Sequence, residues 1–249
     1  MMTDSARQFG LAGLTGLFLP LCFPDFNLGW LAWIALAPLH LALDGAAPRR
    51  ALWLGWLAGF LAFTGIMSWV VTAMHQYGKM PLIASYPVMW LLAAYLGLYV
   101  GLYAAGFAWL ARREASTQAR RVPAWAPLGA PCLWVTLELV RAHFLSGLPW
   151  MLLGYSQYQW LPIIQIADIT SVYGVSFLIV LANVAFAGLI LWAWRRFRLQ
   201  QATAFPWPAP AATALVLIAS LAYGQAALSH ASGSDDQPSL AVGLAPFAL

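Results

Sequence analysis

Glu138 and Arg141 are the two residues of this sequence whose types and spacing most suggest a chemical role. They lie three positions apart near the end of an apolar run, and residues at that spacing share one face of a helix. A carboxylate and a guanidinium on one face can form an ion pair. Such a pair could neutralise itself at a membrane interface. It could also anchor the following loop or a lipid headgroup, since ionisable residues at membrane depth are candidates for function. Both interpretations stay open.

The stretch that follows, residues 146–157, is predicted to be a loop or a short re-entrant segment. Gly147 and Pro149 interrupt a helix, and irregular backbone at membrane depth must find partners in protein or water. Aromatic side chains here are typical of a belt at headgroup level, and they are Trp150, Tyr155, Tyr158 and Trp160. Hydrogen-bonding groups that anchoring does not require accompany them, namely Ser156, Gln157 and Gln165. Simple anchoring and a binding role are equally compatible with this composition.

A second polar patch lies at residues 75–81, between two apolar runs. Lys79 could meet a lipid phosphate as a point charge, whereas His75 has no visible catalytic partner. Tyr95, Tyr99 and Tyr103 form a stripe on the next run, beside Gly97 and Gly101 on a face of small residues. This pattern favours helix packing over a ligand site.

The elements that position these residues must be membrane helices. Of the 249 residues, 62% are hydrophobic and 8% are charged, against roughly 25% charged in an average soluble domain. With a mean hydropathy of +0.75, the chain has too little polar material to cover a compact soluble domain. This composition excludes an ordinary soluble enzyme, a disordered chain and a nucleic-acid module, and it predicts an all-α polytopic membrane protein.

Seven apolar runs are long enough to be spans, since a span needs roughly 20 residues. They lie near 9–23, 28–43, 51–74, 82–110, 124–142, 170–194 and 208–228. With the N-terminus inside, the outer segments hold only Lys79 and Arg141. The other ten of the twelve basic residues then lie inside, so the positive-inside rule places the N-terminus in the cytoplasm and the C-terminus outside. Residues 1–228 are thus predicted to form a transmembrane domain. Residues 229–249 are predicted to be a periplasmic linker, with 240–244 opening a strand.

Sequence motifs for other chemistry are missing. The sequence contains no phosphate-binding loop, no metal-ligand cluster and no Ser-His-Asp arrangement, so we predict neither a metal nor a cofactor. Asp168 and Glu138 both map toward the outer edge, and no internal repeat of the kind found in transporters is visible. A small permease and a lipid-binding membrane scaffold remain alternatives on composition alone.

Four blocks of sequence together resemble one known family, the bacterial apolipoprotein N-acyltransferases. The first joins Phe23–Trp33 to Ala37-Pro38, and the second runs from Gly59-Phe60 through Ser68-Trp69-Val70 to Gly78 and Pro81. The third and fourth are the more specific ones. They comprise Glu138-x-x-Arg141, Gly147-Leu-Pro149-Trp150 and Gly154-Tyr-Ser-Gln157, followed by Tyr173-Gly-Val-Ser-Phe177 with Asn183. The resemblance covers roughly residues 9–228.

This resemblance implies an enzyme of lipoprotein biosynthesis in the bacterial inner (cytoplasmic) membrane. The family moves an acyl chain from a membrane phospholipid to the amino group of a diacylated apolipoprotein, through a nitrilase-like domain with a Glu-Lys-Cys triad. The sequence ends where that domain would begin, so we expect no catalytic residue here and no acyl transfer by this chain alone. A separate nitrilase-like chain is a possible partner, and no nucleic-acid partner is expected. The residues predicted to form a lipid-binding platform are Glu138, Arg141, Pro149, Trp150, Gly154, Tyr155, Gln157, Trp69 and Lys79.

Overall fold

The computed structural model describes residues 4–116, 126–201 and 203–232, and within these ranges it is helical and contains no β-strand. Each of the seven predicted apolar runs coincides with helical structure. The α-helices are α1 Asp4–Leu21, α2 Ala32–Ala35, α3 Ala37–Ala42, α4 Pro48–Ile66, α5 Trp69–Thr72, α6 Leu82–Ser116, α7 Ala126–His143, α8 Leu161–Ile164, α9 Ala167–Ala193 and α10 Pro208–Ser232. Residues 229–232 of the predicted linker belong to α10, and the rest of the linker, with the strand predicted at 240–244, lies outside the described residues.

Shorter helical turns complete the described elements. Three have the tighter 3₁₀ geometry and two the wider π geometry. The 3₁₀ turns are Gly29–Leu31, Phe144–Ser146 and Leu153–Gln157, and the π turns are Ala73–Tyr77 and Trp194–Arg198. Two of the 3₁₀ turns lie in the connection between α7 and α9, which is therefore irregular, as Gly147 and Pro149 predict.

Helix length accounts for three or four of the seven predicted spans. In the described part of the chain, three helices are long and apolar enough to cross a membrane, namely Leu82–Arg112, Ala167–Arg198 and Pro208–His230. The pair Pro48–Ile66 and Trp69–Tyr77 makes a fourth if it is counted as one span with a bend of 48°. The run predicted near 28–43 is not one continuous helix but the shorter segment Gly29–Ala42, which is broken between α2 and α3.

The break between α2 and α3 has a physical cause in Pro38 and a partner in Asn183. A proline lacks an N–H and clashes with the carbonyl four residues earlier, so it interrupts the helical hydrogen-bond ladder. The fully buried Asn183 of α9 bonds backbone groups on both sides of the break. Its Oδ1 accepts the N–H groups of Leu36 and Ala37 at 2.8 and 3.0 Å, and its Nδ2 donates to the carbonyl of Ala32 at 2.8 Å. Asn183 thus joins α9 to the broken segment.

The closest helix pair is α4 with α6, where glycines allow the two backbones to touch. A Cβ atom on Gly97 would lie 2.8 Å from the backbone nitrogen of Phe60, and one on Gly59 would lie 2.8 Å from Cα of Gly97. Small residues permit this approach in membrane bundles, where dispersion forces hold helices together. The predicted packing role of the glycine face is confirmed. Helix α1 covers α4, and α7 and α10 both pack on α9.

Candidate functional site

The connection between α7 and α8, residues 144–160, contains most of the predicted platform residues, and we call it the aromatic loop. Its backbone turns back toward the bundle, since Leu148 N–H donates to the carbonyl of Arg141 at 3.0 Å. Leu145 and Met151 have positive φ values of 50° and 52°, a conformation uncommon outside glycine. Contacts from neighbouring helices hold this irregular backbone in place, as the following residues show.

Glu138, at the end of α7, holds the middle of the aromatic loop. Its side chain is 5% exposed, and Oε1 accepts the backbone N–H of Leu153 at 2.7 Å. This bond satisfies a backbone N–H of the loop that would otherwise be buried without a partner. The carboxylate therefore serves as an anchor for the loop, which is one of the two roles that the sequence leaves open.

The predicted ion pair between Glu138 and Arg141 is not formed as a direct contact. Their charged atoms do not approach within 4.0 Å, whereas Arg195 and Asp44 elsewhere do so at 2.7 Å. The helix places both side chains on one side, but Glu138 reaches for the loop backbone. Arg141, which is 4% exposed, lies over the ring of Phe63, 5.1 Å from its centroid.

Gln157 anchors the far end of the loop through its fully buried amide. Its Nε2 donates to the carbonyl of Gly29 at 2.7 Å and to Oγ of Ser156 at 2.9 Å, and its Oε1 accepts the indole N–H of Trp33 at 3.0 Å. Three partners nearly exhaust what an amide side chain can bond. Gln157 thus ties the loop to the segment before α2, some 128 positions away in sequence.

Gly154 packs directly on α9, where no larger residue would fit. Its N–H donates to Oγ of Ser176 at 2.8 Å, and a Cβ at this position would lie 2.5 Å from the carbonyl oxygen of Val172. The spacing of backbone to backbone therefore requires glycine here. Ser176 and Gly154 belong to the two most specific sequence blocks, and the fold brings those blocks together.

The aromatic side chains of the loop remain outside this anchored backbone. Trp150 is 53% exposed, and its ring lies 5.3 Å from that of Trp69 on α5, centroid to centroid. Tyr155 and Trp160 are also exposed, while the hydroxyl of Tyr158 donates to Oδ1 of Asn27 at 2.7 Å. Trp69 and Trp150, predicted from separate blocks, thus form one exposed pair.

Pro149 and Lys79 complete the predicted set without joining its hydrogen bonds. Pro149 is exposed and directly precedes Trp150, outside any helical turn. Lys79 is exposed on the turn between α5 and α6, with a positive φ of 54°. Next to it, Nδ1 of His75 lies 2.9 Å from the carbonyl oxygen of Met80, so this histidine shapes its own turn. The structure shows no contact that assigns Lys79 a ligand.

Beneath the loop lies a small cavity of about 50 Å³ between α1, α4, α6 and α7. Its walls are mostly apolar, yet three buried polar atoms on them have no partner in the described residues. They are Oε2 of Glu138, one terminal nitrogen of Arg141 and Nε1 of Trp134. A cavity of this size has room for water. The N–H donors of Arg141 and Trp134 and the acceptor oxygen of Glu138 match the hydrogen-bonding groups of a water molecule.

Several supporting residues escape prediction from sequence. Trp33 and Ser176 lie inside the sequence blocks that resemble the family, and this resemblance is the signal that could have indicated them. Nothing in their residue types predicts that they bond to the loop. Trp134 and Phe63 lie in ordinary apolar runs. Their roles arise because distant helices converge on one cavity.

The arrangement holds a loop rather than a metal or a nucleophile. Within the described ranges, no three His, Cys, Asp or Glu side chains are placed to hold a metal ion. Cys22 is buried, with Sγ 3.4 Å from the carbonyl oxygen of Phe18, and Cys132 is exposed on α7. What the geometry can do is present aromatic side chains from a firmly held backbone beside the ends of membrane helices.

Comparison with known proteins identifies the family. A family model described as the apolipoprotein N-acyltransferase N-terminal domain matches residues 15–185. The chain is 41% identical over 218 residues to the apolipoprotein N-acyltransferase of Geobacter metallireducens, a match over 88% of this chain and 39% of that protein. Those of Azotobacter vinelandii and Vibrio parahaemolyticus are 37% and 33% identical, over 69% and 74% of this chain and 32% and 34% of theirs.

The chain thus spans about two fifths or less of the length of these relatives. The matched range contains Glu138, Gln157, Ser176 and Asn183, the side chains that hold the aromatic loop and the broken segment. The family model covers more than half of the chain, and this chain belongs to the apolipoprotein N-acyltransferase family.

Proposed function

We propose that this chain is the membrane part of an apolipoprotein N-acyltransferase and that it holds lipid for acyl transfer in lipoprotein maturation. The substrates on this proposal are a membrane phospholipid and a diacylated apolipoprotein. The names of the relatives support the family chemistry. The transfer itself is assigned to a nitrilase-like part with Glu, Lys and Cys, in this protein or in a separate chain.

The proposal rests on one observation, which is that the aromatic loop combines a fixed backbone with exposed aromatic side chains. Its backbone is fixed by the buried side chains of Glu138, Gln157 and Ser176, while Trp150 and Tyr155 stay exposed. Aromatic rings at span ends prefer the headgroup level of a bilayer. A fixed backbone reduces the ordering that lipid binding would otherwise require. The loop and Trp69 are therefore suited to receive acyl chains and headgroups.

The membrane topology is part of the same proposal. Seven spans, with the N-terminus in the cytoplasm and the aromatic loop on the periplasmic side of the inner membrane, agree with the distribution of arginines. Spans of fewer residues than a straight crossing requires would be accommodated by local thinning or by packing against longer neighbours. In this arrangement the loop faces the compartment where lipoproteins are processed.

Photo-crosslinking of lipid tests the proposed platform. The 249-residue chain is reconstituted with a phosphatidylethanolamine that carries a diazirine and an alkyne on its acyl chain, and adducts are mapped by mass spectrometry. We expect adducts concentrated on Trp69, Trp150 and Tyr155. Trp150→Ala should lower adduct yield at Trp69 about threefold or more, because a large aromatic contact is lost.

Trp207→Ala is the matched control, since Trp207 is 65% exposed and precedes α10, away from the loop. This change should leave adducts at Trp69 unaltered. In the Geobacter metallireducens relative, alanine at the position that aligns with Trp150 should reduce acylation of a diacylated lipopeptide at unchanged protein level. Even labelling along all helices, or full acylation by that variant, would contradict the proposal.

A further inference from the structure

The opposite end of α9 contributes to a second pocket, separate from the aromatic loop. Trp194 follows Ser176, which holds the loop, by 18 positions, or about 27 Å along a helix. The pocket there has a volume of about 310 Å³ and lies between the start of α1, the end of α3 and the turn Trp194–Arg198. Its polar rim consists of Arg7, Gln8, Asp44 and Arg195.

Two arginines are arranged around one exposed tryptophan of this rim. The guanidinium carbons of Arg7 and Arg198 lie 5.6 and 5.9 Å from the ring centroid of Trp194. This distance is within the range of cation–π attraction. Neither arginine forms an ion pair with a side chain that the structure describes. The ring thus holds both guanidinium groups in place, and no described acidic side chain competes with an anionic ligand for their N–H groups.

The other arginine on the rim, Arg195, is committed to a structural partner. Both carboxylate oxygens of Asp44 accept from Arg195, each at 2.7 Å. This pair neutralises the acidic side chain on the described rim and joins the end of α3 to the end of α9. The positive charge that remains is that of Arg7 on the rim and of Arg198, which lies beside the pocket against Trp194, so the site is electropositive.

The floor of the pocket and the amide of Gln8 further restrict which ligand the pocket can bind. Its floor is apolar and consists of Leu11, Leu41, Ile190, Leu191 and Leu199. On the rim, Oε1 of Gln8 is a buried acceptor without a partner in the described residues. A fitting occupant carries a negative charge for the arginines, a hydroxyl donor for Gln8 and an apolar part for the floor. A soluble anion satisfies the first demand alone.

We propose that this pocket binds an anionic phospholipid with a hydroxylated headgroup, such as phosphatidylglycerol. The phosphodiester lies between Arg7 and Arg198, a headgroup hydroxyl donates to Gln8, and the acyl chains run along the leucine floor. Basic pockets between membrane helices suit such headgroups. The site is independent of acyl transfer and of the aromatic loop. It ties the first helix to the end of α9 through a lipid.

Native mass spectrometry of the detergent-solubilised 249-residue chain tests the site. The chain is titrated with short-chain phosphatidylglycerol, with short-chain phosphatidylcholine and with inorganic phosphate. We expect phosphatidylglycerol to bind at least about tenfold more tightly than the other two. Arg7→Gln with Arg198→Gln should weaken its binding about tenfold or more, because each arginine near a lipid phosphate contributes several-fold.

The charge-matched control is Arg112→Gln with Arg196→Gln, two exposed arginines with no described contact to the pocket. This control should retain the affinity for phosphatidylglycerol, and both double variants should unfold at the parent temperature in detergent without added lipid. If both double variants lost affinity for phosphatidylglycerol equally, the effect would come from the net charge of the protein and not from this pocket, and the proposal would be overturned. Phosphate binding as tight as that of the lipid would assign the pocket to a soluble anion and overturn it as well.

Discussion

At the level of single residues, Glu138 and Arg141 are two buried charges that influence each other without touching. Each is at least nine-tenths buried, and both line the cavity of about 50 Å³ beneath the aromatic loop. In a poorly solvated environment, charge–charge interactions extend farther than a salt bridge. Removing one member of such a pair leaves the other buried and uncompensated. The energetic link between them should therefore be larger than their separation suggests.

A double-mutant cycle with Glu138→Gln and Arg141→Met measures this link. Glutamine keeps an acceptor for the N–H of Leu153, so the cycle isolates the charges. Each single change should destabilise the protein, and the double variant should lose less than the sum of the two. The expected coupling is about 1–3 kcal/mol, read from unfolding free energies in SDS titrations of mixed micelles.

Asp44 and Arg195 form the comparison pair for this cycle. They are in direct contact at 2.7 Å, but their side chains are 38% and 41% exposed. Solvent screens such pairs, so Asp44→Asn and Arg195→Met should couple by less than about 1 kcal/mol. Strict additivity at Glu138 and Arg141, or stronger coupling in the exposed pair, would show that contact distance outweighs burial here.

At the level of elements, the crossing of α4 and α6 depends on the absence of side chains. Gly59 and Gly97 place one backbone against the other, and this rigid pair carries Phe63 and Tyr99 into the cavity beneath the loop. A methyl group at the crossing would separate the two helices, since backbone cannot move aside as a flexible side chain can. The spacing of these helices is thus a condition for the geometry of the site.

Gly97→Ala tests this condition, because the added Cβ would lie 2.8 Å from the backbone nitrogen of Phe60. Alanine favours a helix by about 1 kcal/mol over glycine, yet overpacking should lower the unfolding free energy by about 1–3 kcal/mol. Gly188→Ala in α9 is the control, as no atom lies within 4 Å of its added Cβ. That change should be neutral or stabilising. A Gly97→Ala protein as stable as the parent would refute tight backbone contact.

At the level of the whole molecule, the two ends of the helix assembly differ in chemistry. One end presents the aromatic loop and Trp69, and the other presents arginines around Trp194. By the positive-inside rule, this asymmetry predicts that the arginine-rich end faces the cytoplasm. Ten of the twelve basic residues belong to the arginine-rich end on the predicted topology. Opposite ends of α9 should therefore face opposite compartments.

Labelling of introduced cysteines tests that orientation. The native Cys22 and Cys132 are first replaced by alanine, and single cysteines are then placed at Gln159 or at Gln200, both of which are exposed. A membrane-impermeant maleimide should label Gln159→Cys in intact spheroplasts. It should label Gln200→Cys only after the membrane is permeabilised. Labelling of both positions without permeabilisation, or the reverse pattern, would contradict the proposed topology.

The sequence by itself determined the class of the protein, because 8% charged residues cannot cover a soluble domain. Hydropathy located the helical segments, and the Gly-Pro and Gly-Tyr-Ser-Gln blocks indicated both the family and the irregular loop, since such signals are local. Only the tertiary structure decided what Glu138, Gln157 and Asn183 bond to. Most of their partners are backbone groups, up to 151 positions away, and every residue has such groups. It also showed that Glu138 and Arg141 do not pair directly and that Pro38 and Asn183 together break a predicted span. Local pattern specifies which segments enter the bilayer, whereas the packing of distant helices decides which polar group each buried side chain meets.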